Sequence, residues 1–269
     1  MTSIYFSPKG TTQATARAIT SAWEGVTERD LLMEPLREPV AIPAGEPVLV
    51  AMPVYAGRIP GLCREMLERY LQGSGGPAVA VAVYGNRDYD DALAELQDLL
   101  EAKGFRVVAA GAFVAEHSIF TQVAAGRPDE RDRAAMAGFG TECRERIAAF
   151  RPEGVHTPIV VKGSHDLRPA KGVPFHPACG PACTKCGQCA RLCPAGAIPA
   201  DDPTVTDGEK CISCGACIRV CPVQARSYQG EAYAKTAAGF AVKCAARREP
   251  ELFFCTTVPA RGGPRAAPP

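Results

Sequence analysis

The stretch that decides how this chain is organised reads Cys183-x2-Cys186-x2-Cys189-x3-Cys193-Pro194, then Cys211-x2-Cys214-x2-Cys217-x3-Cys221-Pro222. Three cysteines spaced by two residues can direct their sulfurs to three corners of one iron–sulfur cube. The fourth cysteine of each run, before the proline, ligates the other cluster. The spacing therefore predicts two [4Fe-4S] clusters. One is held by Cys183, Cys186, Cys189 and Cys221, and the second by Cys211, Cys214, Cys217 and Cys193.

Two other uses of cysteine fit these runs less well. A structural zinc site takes its four ligands as two pairs separated by a longer loop. A disulfide framework belongs to exported chains. The N-terminal residues 2–7 look like a strand rather than an export signal. We therefore expect iron–sulfur clusters, with zinc and disulfides as the alternatives.

Composition narrows the class of protein. The length of 269 residues suggests two domains, and the hydrophobic and charged fractions of 46% and 22% are those of a soluble globular chain. A net charge of +1 gives no sign of a nucleic-acid or anionic-membrane partner. No apolar run approaches the ~20 residues that a membrane span needs. The 13 cysteines suit a reducing compartment, so we expect a cytoplasmic protein.

The part before the cysteine runs alternates strands with helices. Strand-like apolar runs lie at residues 3–6, 26–32, 47–52, 78–84 and 105–115, and helical patterns separate them. This alternation predicts an α/β flavodoxin-like, doubly wound parallel sheet of five strands, followed by a small α+β two-cluster ferredoxin domain. Ligands of such sheets bind beyond the carboxyl ends of the strands. The informative loops should follow the first, third and fourth strands.

The first of these loops contains Ser7, Lys9, Gly10, Thr11 and Thr12. Backbone N–H groups, hydroxyls and a helix N-terminus can bind a phosphate there. The alternative is a helix cap with exposed polar residues. The loop resembles the flavodoxin phosphate loop Ser/Thr-x-Thr-Gly-x-Thr. Lys9 replaces the middle hydroxyl, which removes one hydrogen-bonding group and adds a positive charge.

The other two loops supply the candidates for holding a flavin ring. They contain Pro53, Val54, Tyr55, Ala56, Gly57 and Arg58, and Tyr84, Gly85, Asn86, Arg87 and Tyr89. Flavodoxin-like proteins close on the isoalloxazine ring with these loops, so the resemblance implies stacking by Tyr55 and by either Tyr84 or Tyr89. Ordinary packing of the tyrosines is the alternative. We also expect Arg58 or Arg87 near the ring, where either would favour the anionic reduced flavin; two solvated arginines are the alternative.

The motifs together resemble one family. A Phe-Ser-Pro-x-Gly-Thr-Thr loop, a Pro-Val-Tyr-Ala-Gly-Arg segment and a Tyr-Gly-Asn-Arg segment precede two cluster-binding runs. This order is similar to that of the EFR1 family of flavodoxin–ferredoxin fusion proteins. The resemblance implies FMN, two [4Fe-4S] clusters and electron transfer, without fixing a substrate.

The sequence also predicts domain boundaries. We expect a flavodoxin-like FMN-binding domain at 1–150, a linker at 151–175, a ferredoxin domain at 176–230, and a C-terminal helical segment with a flexible tail at 231–269. Residues 252–254 are apolar enough for this last segment to fold back on one of the domains. His156, His165 and His176 are expected at the surface, and Cys179 as a spare or packed thiol.

Three functions remain open from the sequence. The leading one is an electron-transfer flavoprotein that passes electrons between FMN and the clusters and on to a redox partner, either ferredoxin-like or a reductase. The second is a flavin- and cluster-dependent reductase of a small molecule, although no Gly-x-Gly-x-x-Gly nicotinamide motif follows a strand. The third is a cluster-containing scaffold or sensor whose flavodoxin-like domain no longer binds flavin. Whether the chain is an enzyme is left undecided.

Overall fold

The computed structural model describes residues 1–152, 157–167 and 172–255. Along the chain its elements are β1 (Thr2–Tyr5), α1 (Thr11–Thr20), β2 (Thr27–Asp30), β3 (Val40–Ile42), β4 (Val48–Pro53), α2 (Gly61–Tyr70), β5 (Leu71–Gly73), β6 (Pro77–Tyr84), α3 (Ala92–Ala102), β7 (Arg106–Val114), α4 (Glu130–Ala149), β8 (Ala178–Cys179), α5 (Gln188–Leu192), α6 (Ala216–Arg219), β9 (Arg226–Ser227), α7 (Glu231–Lys243) and β10 (Glu251–Phe254).

The main sheet has the strand order β10-β7-β6-β4-β1-β2. Its five strands from β7 to β2 are parallel. Counting only these five along the chain, their order is 2-1-3-4-5, which is the flavodoxin-like arrangement. Every residue of β4 and β6 is buried, because a parallel sheet covered on both faces requires near-continuous apolar strands. The predicted fold class is confirmed.

Helices cover both faces of this sheet. On one face α1 and α4 bury residues such as Ile19, Met136 and Phe139 against Leu49 and Val81. On the other face lie α2 and α3, whose inward side chains include Leu67, Leu93 and Leu96. A further two-stranded sheet pairs β3 with β5. The sheet is therefore covered on both faces, by α1 and α4 on one and by α2 and α3 on the other.

The sixth strand, β10, is an addition that the sequence did not predict. It pairs antiparallel with β7, and the register places Glu251 opposite Ala112 and Phe254 opposite Ala109. Phe254 contacts Phe139 with ring centroids 5.5 Å apart. The outer edge of β7 would otherwise present unpaired N–H and C=O groups, which β10 satisfies. The C-terminal segment thus folds back onto the first domain.

The cysteine-rich part is small and has little regular structure. Its short helices α5 and α6 contact each other, and β8 pairs antiparallel with β9. The following helix α7 packs on the loop after β7, where the hydroxyl of Tyr233 donates to the carbonyl of Ile119 over 2.9 Å. This contact, together with β10, joins the second half of the chain to the first.

The described part of the linker runs along α3. The side-chain amide of Gln97 donates to the carbonyl of Ile159 over 3.0 Å, and His165 Nδ1 lies 2.8 Å from a carboxylate oxygen of Asp98. His165 is exposed, as expected. His156 and the predicted flexible tail beyond residue 255 lie outside the described residues. Within the described ranges, no helix has the length and apolar character to cross a membrane.

Candidate cofactor sites

A cavity of about 720 Å³ lies at the carboxyl ends of β4 and β6. The loops after β4, β6 and β7 form one side of it, as the sheet topology requires. The other side comes from beyond the sheet. It is formed by Val173, Pro174, Phe175, Ile212, Ser213, Thr236 and Phe240. The linker, the cysteine-rich part and α7 therefore line the far side of the cavity together.

Most of the predicted flavin-loop residues line this cavity. They are Val54, Tyr55, Ala56, Gly57, Arg58, Tyr84, Gly85 and Arg87. Pro53 lines a small adjoining cavity together with Lys9, Thr11 and Thr12. The two cavities share lining residues, among them Tyr55 and Tyr84. The structure thus brings the three predicted loops to one place.

The start of α1 fits a phosphate. Its N-cap is Gly10, which has a φ of 88° and offers no side-chain cap. The backbone N–H groups and hydroxyls of Thr11 and Thr12 make no hydrogen bond with any described residue. Ser7 has another role, because its hydroxyl accepts from the N–H of Gln13 over 2.9 Å. Uncapped N–H groups beside free hydroxyls are the donor set that a phosphate takes.

The loop after β4 makes a tight turn into the cavity. Tyr55 and Arg58 exchange backbone hydrogen bonds of 2.8 and 3.1 Å across it. Ala56 and Gly57 have φ values of 50° and 85°. A Cβ on Gly57 would collide with the carboxylate of Asp90, so only glycine lets this loop approach the loop after β6 so closely. The turn holds Tyr55 at the cavity wall.

Both cavity arginines have carboxylate partners. The guanidinium of Arg58 donates to the two carboxylate oxygens of Glu95 over 2.7 and 2.6 Å, and both side chains are buried. This hydrogen bonding raises the pKa of Arg58 above its usual value. Arg87 forms an ion pair with Asp90. The positive charge of each cavity arginine is therefore largely compensated by a carboxylate.

Two residues predicted to contact the flavin ring, Tyr89 and Asn86, are not among those that line the cavity. Tyr89 is fully buried, and its hydroxyl donates to a carboxylate oxygen of Glu251 over 2.7 Å. Its ring packs on that of Tyr84, with centroids 5.4 Å apart. The side chain of Asn86 is tied to the C-terminal segment rather than to the cavity. Of the two tyrosines considered as the second stacking residue, Tyr84 is the one that lines the cavity.

His117 is a cavity residue that the sequence reasoning missed. Its Nδ1 accepts from the N–H groups of Ile119 and Phe120, both over 3.1 Å, so that Nε2 carries the proton of the neutral ring. Nε2 makes no hydrogen bond with any described residue. Burial, followed by the charge of Arg87, lowers the pKa of His117 to about 4. Extending the carboxyl-end rule to the fifth parallel strand would have found this residue.

The cysteines surround two separate cavities. One is lined by Cys193, Cys211, Cys214 and Cys217, and the other by Cys183, Cys186, Cys189 and Cys221. The structure therefore gathers the same two crossed sets that the spacing predicts. Across the described residues, no three His, Cys, Asp or Glu side chains converge as ligands of a single metal ion do.

Backbone N–H groups point at four of these sulfurs. The donors to Cys183 and Cys211 are Lys185 and Ser213, each at 3.4 Å. The donors to Cys193 and Cys221 are Ala197 and Ala225, each at 3.2 Å. Cluster-bound sulfurs are stabilised by such hydrogen bonds, which tune the reduction potential. The donor set at both cavities therefore fits [4Fe-4S] clusters.

The remaining cysteines lie outside both cavities. Cys179, in β8, is partly exposed, and its thiol donates to the carbonyl of Gly180 over 3.7 Å. Cys63 and Cys143 are fully buried on the inner faces of α2 and α4. They fill core positions as small apolar residues.

Comparison with known proteins identifies the cysteine-rich part. Residues 182–225 match the model of the 4Fe-4S dicluster domain. No curated protein is similar enough in sequence to count as a relative.

Solved structures resemble the first half of the chain. A Fusobacterium nucleatum flavodoxin bound to flavin mononucleotide is 13% identical; the match covers 54% of this chain and 96% of that one, with a TM-score of 0.39. A short-chain flavodoxin associated with a bacterial microcompartment is 14% identical, covering 54% and 97%, at 0.39. A flavodiiron core from Synechocystis is 16% identical, covering 55% and 36%, at 0.38. The assignment of the fold rests on the strand order of the sheet.

Proposed function

We propose that this chain is an electron-transfer iron–sulfur flavoprotein. It passes electrons between FMN and two [4Fe-4S] clusters and on to a redox partner protein, ferredoxin-like or a reductase. The observation that carries the proposal is the presence of two four-cysteine cavities in the same chain as two adjoining cavities lined by the three flavin loops. FMN exchanges one or two electrons and each cluster exchanges one, so the pair converts between the two kinds of carrier.

The residues of the first domain divide the binding of FMN among them. Thr11 and Thr12 bind the phosphate at the start of α1, and Lys9 adds a positive charge beside them. Tyr55 and Tyr84 enclose the ring. The cavity volume of about 720 Å³ lies within the range of natural cofactor pockets.

Membership of the EFR1 family of flavodoxin–ferredoxin fusion proteins is part of the proposal. It is supported by the combination of a flavodoxin-like sheet with a segment that matches the 4Fe-4S dicluster domain. The proposed division is an FMN-binding domain at 1–150, a linker at 151–175, a ferredoxin domain at 176–230 and a C-terminal segment at 231–269 that returns a strand to the first sheet. A cytoplasmic location suits the density of thiols.

Cofactor analysis of anaerobically purified protein tests the proposal. We expect FMN in the extract and about eight irons per chain, the sum of two four-iron clusters. Iron without any flavin would support the scaffold function instead. A chain with neither cofactor, after reconstitution with iron, sulfide and FMN, would refute the proposal.

A reductase acting on a small molecule is the second candidate. The cavity favours it, because the neutral ring of His117 presents a free Nε2–H next to the aromatic side chains of Phe120, Phe175 and Phe240. Such a mixture of one polar group and an apolar wall is typical of small-molecule sites. Turnover of candidate oxidants with a simple chemical reductant separates the two functions, since a pure carrier shows none.

A further inference from the structure

The two cysteine cavities differ in their position relative to the flavin-loop cavity. Ile212 and Ser213 lie between Cys211 and Cys214 in the chain, and both line the flavin-loop cavity. Cys214 itself belongs to the apolar cluster against which Tyr55 packs. One cysteine-bearing loop therefore forms both a wall of the flavin-loop cavity and a wall of a cluster cavity.

The start of α6 also touches the phosphate loop. A Cβ built on Gly215 would lie 3.2 Å from Lys9 Cδ and 3.8 Å from the carbonyl oxygen of Ser118. A Cβ built on Gly10 would lie 3.5 Å from a guanidinium nitrogen of Arg219. The segment that carries Cys214 and Cys217 is thus pressed against two of the loops at the carboxyl edge of the sheet.

The other cysteine cavity shares no lining residue with the flavin-loop cavity, whereas the first shares Ile212 with it. In this second set Cys186 is exposed. The neighbouring Pro181, Ala182, Thr184 and Lys185 are exposed as well. By contrast, no cysteine of the inner set is exposed: Cys214 and Cys217 are buried, and Cys193 and Cys211 are half-buried. One set of four cysteines thus faces the first domain, and the other reaches the molecular surface.

We propose that the cluster held by Cys193, Cys211, Cys214 and Cys217 faces the flavin, and that the cluster held by Cys183, Cys186, Cys189 and Cys221 is the contact point for the redox partner. This order rests on the proposed function, because it requires both cofactors. It assigns the partner's docking site to the surface around Cys186 rather than to the mouth of the flavin cavity.

The wall of the flavin-loop cavity supports this order. Phe175, Ser213 and Phe240 line it from outside the sheet, so the cysteine-rich part and its neighbours are already packed on that side. When bound, the fully reduced anionic FMN would supply two electrons and one proton. The inner and then the outer cluster would carry the electrons one at a time to a one-electron carrier protein, and the proton would go to solvent.

A matched pair of variants tests the order. Cys186→Ala removes a ligand from the outer set, and Cys217→Ala removes one from the inner set. The measurement is the microwave power that half-saturates the flavin EPR signal in protein whose clusters are reduced. A reduced cluster close to the flavin speeds the relaxation of that signal. We expect Cys186→Ala to retain the fast relaxation of the wild type and Cys217→Ala to lose it.

The opposite pattern, or equal loss in both variants, would overturn the order. If Cys217→Ala does not fold, Cys186→Ala decides alone, because slow relaxation in that variant contradicts the proposal. A soluble dysprosium complex gives a second measurement on the wild type. It should broaden the EPR signal of the outer cluster, which is the signal that Cys186→Ala removes, and leave the signal of the inner cluster narrow. Equal broadening of both signals would count against the order. Failure of the proposed function is recognised separately, as wild-type protein without flavin or iron.

Discussion

The side-chain amide of Asn86 donates to the carbonyl of Cys244 over 2.8 Å, so that a loop of the flavin cavity is bonded to the end of α7. The same amide donates to Ala246 over 2.9 Å, and its oxygen accepts from the N–H of Arg248 over 3.1 Å. Asn86 is buried and has a φ of 60°. One residue therefore fixes the position of two segments that are 158 residues apart in sequence.

Replacing Asn86 should destabilise the protein. Asn86→Ala leaves the carbonyls of Cys244 and Ala246 without this donor and forces a positive φ on alanine, for a loss of roughly 2–4 kcal/mol. Asn86→Gly is the control, because it removes the same hydrogen bonds but accepts the backbone conformation. It should cost about 1 kcal/mol less than alanine. Urea unfolding followed by circular dichroism measures both, and equal midpoints for wild type and variants would contradict the role of Asn86.

Removing either partner of the buried ion pair between Arg58 and Glu95 should shift the midpoint potential of the flavin, and the two shifts should have opposite signs. Glu95→Gln leaves the guanidinium of Arg58 less compensated, which favours the more negative reduced flavin and raises the midpoint potential. Arg58→Met leaves the carboxylate of Glu95 less compensated near the cavity, which lowers the midpoint potential. Redox titration of the bound flavin measures these shifts. Asp98→Asn, an exposed change on the same helix, is the control and should leave the potential unchanged.

Shifts of the same sign in Glu95→Gln and Arg58→Met would show that the pair acts through packing and not through charge. A single variant is sufficient if the other does not fold. Breaking a buried pair by removing one partner costs about 3–5 kcal/mol of folding free energy. That cost falls mainly on Arg58→Met, which leaves the charged carboxylate of Glu95 buried without this partner.

His117 should make stability depend on pH. Its pKa is about 4 in the folded chain, against about 6.5 in an unfolded one. Between these two pH values the unfolded state therefore binds more protons than the folded state. The contribution of His117 to the free energy of unfolding is complete above pH 6.5 and is lost as the pH falls towards 4. Between pH 7.5 and 5 the wild type should lose about 2 kcal/mol more than His117→Gln. Urea midpoints at several pH values test this, and parallel curves for the two proteins would exclude it.

The hydroxyl of Thr12 should contribute to FMN affinity. Thr12→Val keeps the shape of the side chain and removes a hydrogen bond to a charged phosphate, which weakens binding roughly 10- to 100-fold. Thr20→Val is the matched control. Its hydroxyl donates to the carbonyl of Ala16 over 2.9 Å, at the far end of α1. Titration of the apoprotein with FMN gives the dissociation constants, and equal losses in both variants would mean that only helix stability had changed.

Removing iron should affect both halves of the chain. The apolar cluster of the cysteine-rich part consists largely of ligand cysteines, among them Cys189 and Cys217, so without iron this part has little core left. We expect hydrogen-exchange protection to fall over residues 176–227 and to persist in β4 and β6. FMN should also bind more weakly, because Ile212 and Ser213 form part of its cavity wall. Unchanged FMN affinity in iron-free protein would contradict this coupling.

Local patterns were sufficient to predict the sheet and the cysteine sets. The spacing within the cysteine runs predicts which four cysteines share a cluster, because the first three cysteines of a run bind one cluster and the fourth binds the other. Continuous apolar runs such as residues 48–53 identify buried parallel strands. The same strand ends place Tyr55 and Tyr84 at one edge of the sheet.

Contacts between distant segments were beyond the sequence. From the sequence, Tyr89 is a loop tyrosine that could stack on the flavin, but in the structure its hydroxyl donates to Glu251. From the sequence, Asn86 could offer its amide to the edge of the ring, but in the structure that amide bonds to the C-terminal segment. The far wall of the flavin cavity, including Phe175 and Phe240, is built by the linker and α7. No motif predicts these roles, because each depends on packing that only the folded chain creates.

The pairing of β10 with β7 changes how the cluster module is attached. Residues 157–167 leave the first domain along α3, and residues 251–254 return to its sheet. The module is consequently an insertion within the flavodoxin-like domain and not an appendage behind it. Fixing both ends of a segment removes most of its orientational freedom. The separation between the two cofactor regions is then a property of the fold, unlike that of a carrier domain swinging on a single tether.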